Sequence, residues 1–184
     1  MAMQGIAGQG PQGPEVWIRG PVAGPDQELP QPAQGTVTAR RFAWVATHGG
    51  AGTSTLATVF GGHDAGRNWP RPEQGDPASL LLVARTHATG LRAVSHTLDT
   101  FRRGDVPPGL DLDAVVLVAD APGRLPRQLA QHAKEIGATI DVYQVPWVPA
   151  WRVGDLGGEP PRECEALARL TGAAPPSSGR RGPR

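Results

Sequence analysis

The residues able to do chemistry gather in two short runs, His48-Gly49-Gly50-Ala51-Gly52-Thr53-Ser54-Thr55 and Asp120-Ala121-Pro122-Gly123. The first sets glycines at 49, 50 and 52 between an apolar stretch and a hydroxyl-rich one. Glycine lets a main chain wrap closely around a ligand without Cβ clashes. Where such a turn leads from a strand into a helix, free backbone N–H groups converge and the helix dipole adds positive potential. The chemistry indicated is anion binding. Ser54 and Thr55 then fall in the first helical turn, where a hydroxyl caps the helix or ligates a divalent cation. The plainer reading is a tight ligand-free turn, with Asp120 capping a second turn that Pro122 and Gly123 complete.

Those runs need elements to hold them. Phe42–Thr47 is apolar on both faces, as suits a buried parallel strand, and Leu80–Ala84 and Ala114–Ala119 repeat the pattern. Thr139–Val145 is a fourth strand candidate. Between them, Leu56–Phe60 can open a short helix. Leu91, Val94, Leu98 and Phe101 predict a helix over 89–103, and Leu129, Ala133 and Ile136 another over 126–136. Glu163–Leu170 is a last short helix, and 61–77 reads as loop. Strands alternating with helices predict an α/β domain of three layers around a mostly parallel sheet. Both chemical runs then follow carboxyl ends of strands, where ligands of such folds bind.

The chain has 184 residues and net charge +1, with 25 glycines and 20 prolines, about a quarter of its length. That excess concentrates toward both ends. We expect a disordered arm over 1–38 carrying a short apolar element around Trp17, a domain over 39–171, and a disordered basic tail over 172–184. One cysteine, Cys164, excludes an intrachain disulfide framework, and His48, His63, His87, His96 and His132 show no zinc-type spacing. No apolar run approaches the ~20 residues of a membrane helix, and the start lacks a secretory pattern, so the expectation is a cytoplasmic protein with no membrane span. A charge of +1 gives no general pull toward nucleic acid.

The glycine run resembles the deviant Walker A loop of ParA/MinD-type P-loop ATPases, K-G-G-x-G-K-[ST]-[ST]. Gly49, Gly50, Gly52, Ser54 and Thr55 match; His48 stands where the family has its signature lysine and Thr53 where it has the P-loop lysine. Asp120, followed by Ala-Pro-Gly, resembles the aspartate of the family's D-x-x-P segment, whose carboxylate contacts magnesium-bound water. The matched segments cover about 15 residues, and the element order extends over 40–150. The resemblance implies a trimmed, P-loop NTPase-like fold, ATP or another nucleotide with magnesium as cofactor, and a site made of residues 48–55 with Asp120. Ser54 and Asp120 would serve the metal. The layout is also similar to that of an uncharacterised actinobacterial family, which implies no activity.

With both lysines replaced, the expectation is binding with little or no hydrolysis, a pseudo-ATPase, because positioned positive charge stabilises phosphoryl transfer. Arg85 and Arg124, each just after a strand, are candidate substitute cations. Two other readings compete. One is a nucleotide-free scaffold contacting a protein partner through Trp17 or the Trp147/Trp151 segment; the other is an ATPase assisted by an arginine from a second copy. His-Gly-Gly after a strand also resembles the oxyanion loop of α/β-hydrolases, but the chain has no G-x-S-x-G elbow. Pro146-Trp147-Val148-Pro149-Ala150-Trp151 forms a braced apolar segment suited to core packing, or to stacking on a base.

Overall fold

The computed structural model describes residues 40–173; the Trp17 element and the basic tail lie outside them. Five parallel strands form one sheet in the order β2-β1-β3-β4-β5: β1 (Ala43–Ala46), β2 (His63–Asp64), β3 (Ser79–Arg85), β4 (Asp111–Val118) and β5 (Val142–Val145). The helices are α1 (Thr53–Phe60), α2 (Ala88–Arg102), α3 (Arg127–Gly137), α4 (Pro149–Arg152) and α5 (Glu165–Thr171).

The side-chain alternation of the strands builds two separate cores. Leu81 and Val83 of β3 face Trp44, Leu56, Phe60, Val116, Val145 and Leu167, beneath α1 and α5. Leu80, Leu82 and Ala84 face Val45, Leu91, Val94, Leu98, Leu117 and Ile136, beneath α2 and α3. Apolar residues on both faces are what a sheet covered twice requires. The result is the expected three-layer α/β arrangement. Burying each such leucine or valine contributes roughly 1.5–3 kcal/mol.

The strand order explains which helix lies where. From β1 the chain crosses through α1 to β2 on one side, then returns to β3 and proceeds outward through α2, β4, α3 and β5. Right-handed crossovers moving in opposite directions put their helices on opposite faces. The direction reverses between β1 and β3, so the crevice at their carboxyl ends is the switch point of the fold.

Three elements fall where sequence indicated loop. β2 lies within 61–77, both its side chains are exposed, and backbone bonds pair it with β1, from His63 N to Phe42 O (2.9 Å) and from Ala65 N to Trp44 O (3.0 Å). A 3-10 turn occupies Pro72–Gln74, and α4 lies in the second half of the Trp147/Trp151 segment. No helix among the described residues is long and apolar enough to cross a membrane.

Candidate functional site at the sheet switch point

The loop between β1 and α1 turns at two glycines of positive φ, Gly50 (74°) and Gly52 (108°). The first carbonyl bond into the helix runs from Leu56 N to Gly52 O (3.0 Å). The amides of residues 49 through 55 have no acceptor among the described residues. The loop therefore presents successive free N–H groups at the amino end of an eight-residue helix. Ala51 is buried, while Gly49 and Gly50 are exposed.

His48 does not extend into this hollow. Its Nε2 accepts the backbone N–H of Arg85 (3.0 Å), so its proton sits on Nδ1, which donates to Gly49 O (2.8 Å). The imidazole thus continues the β1–β3 ladder past the last residue of β1. Its ring also packs on His87, centroid to centroid 4.9 Å, and His87 Nδ1 caps α2 by accepting from Gly90 N (2.9 Å). In this arrangement His48 positions Arg85; it does not stand in for a lysine reaching over the loop.

The cation at the loop is Arg85, at the end of β3. Its guanidinium donates through Nε to Gly50 O (3.3 Å) and through Nη1 to Ala119 O (2.9 Å). A Cβ built on Gly52 would lie 3.8 Å from its Nη2. Burial holds this guanidinium below its ordinary value, the charge of Arg152 adds to that, and Asp120 offsets part of it. Arg124, the other candidate cation, is exposed beside the α3–β5 cleft.

A carboxylate that sequence reasoning missed organises the hydroxyls. Ser54 Oγ donates to Asp64 Oδ2 (2.5 Å), and Gly66 N donates to Asp64 Oδ1 (2.9 Å). Burial raises the Asp64 carboxyl, but the Ser54 hydroxyl, the Gly66 amide, the Thr53 hydroxyl and the charge of His63 together hold it below its ordinary value of 3.8. Thr53 is buried and turns its hydroxyl toward this acid. A depressed carboxyl stabilises the fold above its unfolded value, and the contribution is lost as pH falls through the folded one. Asp64→Ala is expected to cost about 1 kcal/mol at pH 7. Below the ordinary carboxylate range, the gap from wild type should close. Urea unfolding at neutral and acid pH checks this; a gap that widens in acid contradicts it.

Asp120 is exposed, just beyond β4, and its amide donates to Thr86 Oγ1 (3.1 Å). β3 lies between β4 and the strand that carries the glycine loop. The structure thus joins Ser54 to Asp64, not to Asp120 as the resemblance implies. Among the described residues no group of three or more His, Cys, Asp or Glu is placed to hold a metal ion.

Trp151 is half-buried and meets Phe60 edge-on (centroids 6.4 Å), joining the core under α1 as its sequence context indicated. Trp147 carries Arg152 over its ring at 5.2 Å. Arg85, Arg152, Trp147 and Trp151 share one small cavity with Gly52 and Thr55, about 30 Å³ in volume. A larger cleft of about 570 Å³ opens beside it, walled by Leu125, Leu129 and Ala133 and sharing Trp147. Cys164 is fully buried, and burial together with the charge of Glu163 pushes its thiol up to about 11, so it is chemically quiet.

No curated protein and no solved structure matches the chain. The profile of a family of unknown function, DUF6668, matches residues 41–169, and the chain belongs to that family.

Proposed function

We propose that this protein binds a phosphate-bearing ligand, ATP or another nucleotide, in the glycine loop, as a degenerate relative of the ParA/MinD-type P-loop ATPases with little or no hydrolysis. One observation carries the reading: among the described residues the amides of 49 through 55 lack an acceptor, and the Arg85 guanidinium bonds to the loop at Gly50 O. Free N–H groups at a helix start, with a cation alongside, are the components of a phosphate site.

The weak-turnover part rests on what surrounds the loop. Thr53 supplies a hydroxyl, held by Asp64, where the resembled family supplies a lysine. Arg85 enters from the sheet side and is tied to two carbonyls. It can neutralise charge in a bound phosphate. Titration calorimetry with ATP and ADP is expected to show binding, with phosphate release at background and independent of protein concentration. Absence of heat at millimolar nucleotide would exclude the reading. Release that rises with protein concentration would favour an arginine supplied by a second copy.

The open apolar cleft between α3 and β5 favours a second reading, a nucleotide-free scaffold that receives a protein partner there. The same titration separates the two.

A further inference from the structure

We infer that Arg85 and Arg152 form a pair of guanidiniums that takes a diphosphate-type oxyanion directly, with no bridging divalent cation. This rests on the phosphate reading above and adds to it the second cation, the ligand's charge and its independence of metal.

The two arginines come from distant parts of the chain, the end of β3 and the end of α4, and line the same cavity. Among the described residues neither forms an ion pair. Like charges brought to one cavity repel. Burial and the charge of Arg152 both work against the charged form of Arg85, and the Asp120 carboxylate offsets only part of this. Arg152 is nevertheless held at this place. The short α4 begins at Pro149, and the Trp147 face lies under the guanidinium at 5.2 Å.

An anion spanning both arginines would relieve the repulsion and supply acceptors that the carbonyls of Gly50 and Ala119 satisfy only in part for Arg85. Planar guanidiniums suit phosphate oxygens because each offers two parallel donors. Two such groups match two linked phosphates better than one. They also provide the two positive charges that a divalent ion would otherwise bring. That matters here because the Ser54 hydroxyl is committed to Asp64. The cavity is only about 30 Å³, so entry requires Arg85 to turn away from Gly50 O, the longer of its two bonds at 3.3 Å.

The test is calorimetric titration of the full chain with sodium pyrophosphate and with orthophosphate, in EDTA and again in excess magnesium. Pyrophosphate is expected to bind more tightly than orthophosphate, and magnesium to leave its affinity unchanged or weaker. Arg85→Gln and Arg152→Gln should each reduce pyrophosphate affinity about tenfold or more. Arg127→Gln, an exposed position on α3, should not. Arg152→Lys keeps the charge and should bind better than Arg152→Gln; equal weakness in both would assign the loss to the Trp147 contact and overturn the pair. Wild-type affinity in Arg152→Gln, or binding that needs magnesium, overturns the inference while leaving the phosphate reading intact. A wild-type chain that takes up neither anion overturns both.

Discussion

Trp44→Ala is expected to remove about 3–5 kcal/mol of stability, the range for truncating a large buried aromatic residue. Trp44 is fully buried at the centre of β1. It meets Phe42 edge-on (centroids 5.1 Å, 83° between planes) and Phe60 at 6.5 Å. Its indole Nε1 donates to Gly61 O (2.7 Å), fixing the turn at which α1 ends and the chain heads into β2. Truncation therefore opens a cavity and leaves a carbonyl without its donor. Trp44→Phe separates the two effects: it keeps most of the packing and should cost about 1 kcal/mol for the lost bond plus a smaller cavity term. A domain of this size has roughly 5–15 kcal/mol in hand, so the alanine variant should be close to unfolding. Equilibrium urea denaturation of both variants measures this. A loss below 1 kcal/mol in Trp44→Ala would mean that β1 is not the centre of the core.

Gly90→Ala is expected to cost about 3 kcal/mol, although alanine is the better helix former. The reason is a close approach and not backbone freedom. Gly90 lies in the first turn of α2, where a Cβ would sit 2.2 Å from Arg85 O and 3.0 Å from His48 Nε2. The nearest obstacle is backbone at the end of a central strand, which cannot swing aside as a side chain would. To admit the methyl group, α2 must lift from β3, carrying the His87 cap with it. The shift also presses on the imidazole that accepts the Arg85 amide. Loss of stability should therefore come with weaker phosphate binding. Stability within 0.5 kcal/mol of wild type would show that the helix start has slack the close packing denies.

The helix–strand close approach is invisible in the sequence, where Thr89-Gly90-Leu91 reads only as a glycine near a helix start. The major elements were legible because their side chains report burial. Leu91, Val94 and Leu98 are buried at the spacing that predicted α2, and the apolar runs at 80–84 and 114–119 fall in β3 and β4 with their flanks. β2 was not legible, since two exposed residues docked by main-chain bonds carry no apolar pattern. Asp64 went unnoticed for the same reason: it stands in a stretch whose glycines and asparagine signal loop. The one available clue was an aspartate about ten residues beyond Ser54. Arg85 was legible as a cation at a strand end, whereas Arg152 was not, because only the fold of the Trp147 segment brings it back to the loop.

The central claim is that the amides of the glycine loop receive phosphate. A titration of the ¹⁵N-labelled chain with ATP, followed by amide NMR, tests it most directly. The account predicts progressive, saturable shifts concentrated at Gly49 to Thr55 and at Arg85, with the α3–β5 cleft residues Leu125 and Leu129 little changed. Shifts confined to that cleft, or none in the loop at millimolar nucleotide, would contradict it.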